Sequence, residues 1–212
     1  MNKETIVINI AGGPGTGKTT IAAELFCVLK EKGYDVENVS EFAKELVWEG
    51  RNEAFDDRLY MHGEQNHRLM QMNNKLDYII TDSPLFLTSI YNQYYLSKKF
   101  SKSYNNMIDI VTSETYKLYN NKVYFLKRDT NYKSIGRREN INTAKKIDKL
   151  IISYLKHNKI KYLELNLDNA LDEILKDLKI KKWGVNKWKI SLKNLKVFSI
   201  EATLLNWPLV LL

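Results

Sequence analysis

The segment Gly12–Thr19 has the residue types and the spacing of a loop that binds phosphate. It reads Gly-Gly-Pro-Gly-Thr-Gly-Lys-Thr and matches the pattern G-x-x-x-x-G-K-[ST] at every fixed position. Glycines allow successive backbone N–H groups to turn inward around a phosphate, and the start of a following helix adds partial positive charge. We therefore predict a nucleotide-binding site that consists of Gly12, Gly13, Pro14, Gly15, Thr16, Gly17, Lys18, Thr19 and Thr20.

Three side chains have the chemistry that a bound nucleoside triphosphate requires. Lys18 can reach the β- and γ-phosphates of ATP, and the Thr19 hydroxyl can bind Mg²⁺. Asp82 ends the apolar run 78–82, a position at which an aspartate often holds the same metal ion. The predicted cofactors are therefore ATP and Mg²⁺, with Thr19 and Asp82 as metal ligands. A glycine turn that binds no ligand is the alternative interpretation of the loop.

A polar loop with three arginines follows the fourth apolar run of the chain. Arg128, Arg137 and Arg138 lie within residues 128–139, together with small and polar residues. Arginine forks match phosphate oxygens and can neutralise charge in a transition state, so this loop is predicted to close over the transferring phosphoryl group as a lid. A solvated basic loop is the alternative.

Apolar patterns predict the elements that position these residues. Short β-branched or aromatic runs predict strands at residues 5–11, 35–40, 78–82, 122–127 and 161–166. Helical spacing predicts helices at residues 18–32, 41–48, 55–74, 85–97, 103–120, 144–155 and 169–178. This alternation predicts an α/β fold, a doubly wound parallel five-stranded sheet with helices on both faces, of the kind found in P-loop proteins.

Composition and charge favour one domain followed by a distinct tail. The chain has 212 residues, 44% hydrophobic and 27% charged, and its net charge is +8. Residues 179–212 carry seven lysines and one glutamate, so residues 1–178 form a predicted domain of net charge close to neutral. A nearly neutral domain argues against nucleic acid as a partner, because such a partner requires a basic groove over several phosphates. The basic and then apolar tail could supply such a groove.

Cysteine content and hydropathy indicate where the protein acts. A single cysteine, Cys27, excludes a disulfide framework and favours a reducing cytoplasm. We find no signal peptide before the first strand and no apolar run of about 18 residues that could span a membrane. The expected location is cytoplasmic.

Several of these motifs together resemble a known group of enzymes. Residues 12–20, 40–45 (Ser-Glu-Phe-Ala-Lys-Glu) and 81–85 (Thr-Asp-Ser-Pro-Leu) resemble the P-loop kinase group that includes the nicotinamide riboside kinase domain of bacterial NAD-salvage proteins. The resemblance covers about residues 5–178. Lys44 stands where arginine is usual in that group, which puts a role of this position in binding substrate phosphate in doubt.

A second resemblance concerns the arginine loop. Arg128, Tyr132 and the pair 136–137, followed by Ile-Asp at 147–148, resemble small AAA-type ATPases or kinases that bacteriophages carry. Kinases of this broad group also resemble deoxynucleoside kinases, in which a carboxylate after the second strand acts as base toward the accepting hydroxyl. The resemblance assigns that role to Glu41. Stabilisation of a helix N-terminus by Glu41, or Asp82 as the base, are the alternatives.

These resemblances imply a P-loop phosphotransferase. It would be an ATP- and Mg²⁺-dependent kinase that transfers the γ-phosphate to a small hydroxyl-bearing metabolite, above all a nucleoside or nucleotide. Two other functions stay open: an ATPase that acts as a switch for partner proteins, and a kinase of nucleic-acid 5′ ends.

Overall fold

The computed structural model describes residues 3–128 and 140–181, and its centre is one parallel sheet. The strands cross the sheet in the order β2-β3-β1-β4-β5, and every pairing is parallel. Their bounds are β1 (Ile6–Ala11), β2 (Val36–Val39), β3 (Tyr78–Thr81), β4 (Asn120–Leu126) and β5 (Leu163–Leu165). The predicted α/β fold with five parallel strands is confirmed.

Helices connect these strands and follow the last one. They are α1 (Lys18–Glu31), α2 (Phe42–Trp48), α3 (Arg58–Met72), α4 (Leu87–Tyr91), α5 (Lys102–Tyr116), α6 (Ile141–His157) and α7 (Ala170–Asp177). Short 3₁₀ segments precede α3 and α7, and a π-helical turn over Asn92–Leu96 continues α4. Within the described ranges, none of the helices combines the length and the apolar character that a membrane span requires.

Strand β1 lies in the middle of the sheet and is covered on both faces. Val7, Ile8, Ile10 and Ala11 are all fully buried, although neighbouring side chains point to opposite faces. Such a continuous apolar run is typical of a parallel strand between two helical layers. The polar member of this run, Asn9, is also buried, and its side-chain amide donates to Asn121 Oδ1 at 2.9 Å.

The sheet topology brings two connections together above β1 and β3. The chain leaves β1 toward β2 on one side, and it later leaves β3 for β4 on the other side. At such a switch point, the loops at the carboxyl ends of neighbouring strands diverge and leave a crevice for a ligand. The glycine loop after β1 and Asp82 after β3 both lie at this position.

Two compact units make up the chain, Met1–Ile174 and Leu175–Leu212. The first contains the five strands and α1 to α6, and it exposes Cys27. In the second, the described residues are the end of α7 and a turn in which the Ile180 N–H donates to the Leu175 carbonyl at 2.8 Å. Residues 182–212 lie outside the described part, so the predicted division at residue 178 stays a prediction.

Candidate functional site

The loop between β1 and α1 is shaped by its glycines and by one threonine. Gly15 and Gly17 have φ values of 86° and 90°, which side chains with a Cβ rarely adopt. A Cβ on Gly17 would also lie 2.6 Å from Leu167 Cδ1. The buried Thr16 hydroxyl donates to the Gly13 carbonyl at 3.1 Å and closes the turn from inside. The predicted loop residues therefore form one compact turn at the start of α1.

Lys18 is the first residue of α1, and its side chain folds back over this loop. Its Nζ donates to the Gly13 carbonyl at 3.1 Å. The ammonium group consequently lies against the loop. Thr20, the last predicted member of the nucleotide site, is exposed in the first turn of α1.

Thr19 and Asp82, the two predicted metal ligands, are in direct contact across the crevice. The Thr19 hydroxyl donates to Asp82 Oδ2 at 2.6 Å. Asp82 is buried, and its Oδ1 has no hydrogen-bond partner among the described residues. Mg²⁺ takes hard oxygen ligands and keeps several waters or phosphate oxygens, so this pair fits a site that a nucleotide completes. Within residues 3–128 and 140–181, no group of three His, Cys, Asp or Glu residues forms a metal site.

A buried ion pair holds the loop from the side of α6. Arg128 donates to both carboxylate oxygens of Asp148, at 2.7 and 3.2 Å, and to the Pro14 carbonyl at 2.7 Å. Asp148 Oδ1 also accepts from the Gly13 N–H at 2.7 Å. The side chains of Arg128 and Asp148 are 9% and 14% exposed. Asp148 therefore fixes the loop and Arg128 together, a role that the sequence did not predict.

The arginine loop is described only at its first residue. The contacts of Arg128 show a guanidinium that braces the phosphate-binding loop, and its role toward a transferring phosphoryl group stays a prediction. Arg137 and Arg138 lie outside the described residues, as does the rest of the predicted lid. Their roles likewise stay predictions.

A cavity of about 430 Å³ opens beside the loop, between α2, α3 and α4. Pro14, Lys18, Thr19 and Glu41 line it, so the structure brings four of the predicted site residues to the same space. Its other walls are largely apolar and aromatic, from residues Phe42, Trp48, Phe55, Leu87, Tyr91 and Tyr95. Cavities of this size and character commonly hold small organic ligands.

Glu41 enters this cavity from the N-terminus of α2, where polar contacts fix the backbone. Gln65 Oε1 accepts from the Phe42 N–H at 3.0 Å, and Gln65 Nε2 donates to the Ser40 carbonyl at 3.3 Å. Farther along α2, Glu45 accepts two hydrogen bonds from Arg68 of α3, and they lower the pKa of the Glu45 carboxyl. The buried Gln65 thus determines where Glu41 stands. Sequence reasoning did not predict this role, because Gln65 lies on a buried helix face that also carries Arg58 and His62, and so does not stand out there as a polar residue.

One tetrapeptide has the pattern of a guanine-recognition segment, but it lies at the opposite end of the strands from the glycine loop. Residues 74–77 read Asn-Lys-Leu-Asp, which matches Asn-Lys-x-Asp. They precede β3, whose first residue pairs with Ile6 at the start of β1. The glycine loop follows the opposite end of β1, so these residues cannot reach a base bound there.

Comparisons with known proteins agree with this architecture. The family described as AAA domain matches residues 7–172, whereas no curated protein matches the chain. A NadR protein in complex with NR is similar with a TM-score of 0.67 and 15% identity, over 87% of this chain and 54% of that one. A NadR protein in complex with NAD and AMP-PNP gives 0.66 and 14%, over 87% and 52%. The chain thus spans about half the length of these NadR structures.

Two further solved structures are similar to this chain over nearly the whole of their own length. Deoxyadenosine kinase from M. mycoides with bound dATP has a TM-score of 0.57 and 20% identity, over 82% of this chain and 99% of the kinase. The same kinase with the products dCMP and a flexible dCDP gives 0.55 and 19%, over 82% and 98%. At these identities the likeness shows a shared fold.

Proposed function

The chain belongs to the AAA domain family, and from this premise we propose that it is an ATP- and Mg²⁺-dependent small-molecule kinase. Its acceptor would be a hydroxyl-bearing metabolite of the nucleoside or nucleotide class. The fold is that of P-loop kinases and ATPases, and the proposal concerns the reaction and its acceptor.

The observation that supports this proposal is that the glycine loop borders the cavity described above. Lys18 and Thr19 belong to the loop and also line the space that Glu41 and the aromatic walls enclose. A kinase needs such a space for its acceptor next to the γ-phosphate, because the two reacting groups must be held together in line. A nucleotide switch has no need of it, since water is the acceptor there.

Each residue would contribute positioning or charge. The loop amides and Lys18 would hold the phosphates of ATP, and Thr19 and Asp82 would hold Mg²⁺, which neutralises phosphate charge when bound. Glu41 would accept the proton of the acceptor hydroxyl. The acceptor oxygen forms a bond to the γ-phosphorus while the bond from that phosphorus to the β,γ-bridging oxygen breaks, and ADP leaves. Arg137 and Arg138 would stabilise the charge of the moving group.

The solved relatives support the choice of acceptor class. Two of them are NadR structures with NR or with NAD and AMP-PNP, and two are a deoxyadenosine kinase with nucleotides. A flat base could pack between aromatic walls such as Phe42 and Tyr91, which line the cavity.

A transfer assay with labelled ATP tests the proposal. Nucleosides, nucleoside monophosphates and a DNA oligonucleotide with a 5′ hydroxyl are offered as acceptors. We expect a small nucleoside-type acceptor to be phosphorylated. We also expect Glu41→Gln to lower kcat about 100-fold or more, as for loss of a general base. Glu49→Gln is the matched control, because Glu49 is exposed at the other end of α2. Acceptor-independent hydrolysis alone, or transfer only to DNA ends, would refute the proposal.

A further inference from the structure

A buried chain of hydrogen bonds runs from the acceptor cavity into the protein. Thr88 of α4 lines the cavity, and its hydroxyl lies 3.0 Å from Nδ1 of His62 on α3. Nε2 of the same ring lies 2.8 Å from the hydroxyl of Thr115 on α5. His62 is 3% exposed, so these two hydroxyls are the polar partners of its ring among the described residues.

The positions of the protons in this series of hydrogen bonds follow from its last residue, Thr115. The Thr115 hydroxyl donates its one proton to the carbonyl of Val111, at 2.8 Å, with the Thr112 carbonyl at 3.2 Å. Thr115 must therefore accept from His62 Nε2–H. Burial lowers the pKa of His62, so the ring is neutral at pH 7 and carries a single N–H. Nδ1 then accepts the proton of Thr88.

The opposite arrangement makes fewer hydrogen bonds. If Thr115 donated to Nε2, its oxygen would lie 2.8 Å from the Val111 carbonyl without a proton between them. Nδ1–H would then donate to Thr88, and the Thr88 proton would need a partner elsewhere. Buried polar groups are almost always paired, which favours the first arrangement.

We propose that Thr88 selects acceptors that offer a hydrogen-bond donor, with His62 and Thr115 as positioning residues. Because the Thr88 proton points at His62, only its lone pairs can face the cavity. They would pair with an N–H or O–H of the ligand and repel a carbonyl oxygen. This inference rests on the proposed function for the class of acceptor. The donor could be an amino group of the base or a hydroxyl of the sugar.

The apolar residues beside Thr88 make this contact selective, although Arg58 and Gln65 also line the cavity. Leu85, Leu87 and Tyr91, from the same segment as Thr88, also line the cavity. A ligand group that cannot donate there loses its hydrogen bonds to water without a replacement. We expect a discrimination of roughly 5- to 100-fold in kcat/KM between matched ligands, the range that one unpaired polar contact gives.

The first test needs no acceptor. Nitrogen chemical shifts of the three histidine rings are measured at pH 7, and His62 is assigned by the loss of its signals in a His62→Gln variant. We expect an unprotonated Nδ1 and a protonated Nε2. A protonated Nδ1, or a charged ring, overturns the proposal whatever reaction the protein catalyses.

The second test compares acceptors that differ in one group. Adenosine against inosine and cytidine against uridine exchange an amino group for a carbonyl, and each ribonucleoside against its 2′-deoxy form removes a hydroxyl. We expect wild type to prefer the member that carries the amino group or the 2′ hydroxyl in at least one pair. Thr88→Val should abolish this preference, and Thr88→Ser should keep it. Equal kcat/KM values within every pair overturn the proposal.

A substitution at Thr115 tests whether the orientation of the Thr88 hydroxyl, and not only its presence, determines the preference for acceptors. Thr115→Val removes the partner of Nε2–H, so the ring proton should move to Nδ1 and donate to Thr88. The Thr88 proton is then released toward the cavity, and the preference should shift to carbonyl-bearing acceptors. An unchanged preference in a folded Thr115→Val protein contradicts the relay. If no nucleoside accepts phosphate, the proposed function fails, while the histidine signals still decide how Thr88 is oriented.

Discussion

Asp148→Asn should destabilise the protein and loosen its phosphate-binding loop at the same time. The carboxylate of Asp148 accepts from Nε and Nη2 of Arg128 and from the Gly13 N–H. Asparagine has nearly the same shape, so the substitution removes charge and one acceptor oxygen without opening a cavity. It removes the negative charge of Asp148 from beside the guanidinium of Arg128, a largely buried group.

The magnitude follows from burial. Removing one partner of a buried ion pair costs about 3–5 kcal/mol, and the remaining amide oxygen should reduce this to about 2–4 kcal/mol. For a chain of this length, about 3 kcal/mol corresponds to a fall in Tm of about 6–12 °C. The control is Glu45→Gln, which breaks the more exposed pair with Arg68 and should cost at most about 1 kcal/mol.

Urea unfolding of a double-mutant cycle provides the assay. Asp148→Asn, Arg128→Met and the double variant are compared, and we expect a coupling free energy of about 1–3 kcal/mol. Costs that add within about 0.5 kcal/mol would refute the conclusion that these two side chains act as a pair. ATP affinity, measured by calorimetry, should fall in Asp148→Asn because a neutral amide with one acceptor oxygen holds the Gly13 N–H and Arg128 less firmly than the carboxylate does.

Three further outcomes are expected. Lys18→Ala should abolish turnover and leave Tm nearly unchanged, because the partly exposed Lys18 side chain donates to the Gly13 carbonyl of the loop and is not part of the apolar core; intact activity would exclude a phosphate-binding role. Gly13→Ala should cost about 2–4 kcal/mol in urea unfolding, since its Cβ would lie 2.5 Å from Asp148 Oδ1, whereas Gly63→Ala, in open space on α3, should stabilise by about 0.5–1 kcal/mol. The free energy of unfolding should decrease as pH falls below about 6.5, because burial lowers the pKa of His62 in the folded state and the unfolded chain binds the proton more readily. His62→Gln should weaken this dependence and the exposed His67→Gln should not; equal pH profiles for both would contradict it.

The sheet and the phosphate loop were predictable because their signals are local. The five apolar runs are short and bounded by turn residues, and the loop is a contiguous motif. The contact of Gly13 with Asp148 spans 135 residues and has no local signature. Helix boundaries were predicted less exactly, even where the deciding contact is local. The helix predicted from residue 55 begins at Arg58, because the Asp57 side chain accepts from the Tyr60 N–H and caps it there.

The helix predicted over residues 85–97 was only partly right. It is divided into α4 and a π-helical turn, in which the buried Asn92 donates to Asn105 Oδ1 at 2.8 Å. The partner belongs to α5, so the local sequence of residues 85–97 does not contain the reason for the break. The roles of Glu41 and the arginine loop came from resemblance, and they still await the transfer assay.

The central place of β1 has a consequence for synthesis on the ribosome. Ile6 pairs with Tyr78 and with Asn120, so both edges of the first strand wait for partners made 72 and 114 residues later. At about 5–20 residues per second, the second partner follows after roughly 6–23 seconds. Both edges of this apolar strand are open until the first partner is made, and one stays open until the second is made; an open edge could pair with other nascent chains. The polar side chain of Asn9 in the middle of this apolar run disfavours such pairing. In the folded sheet its amide is buried and donates to Asn121 Oδ1.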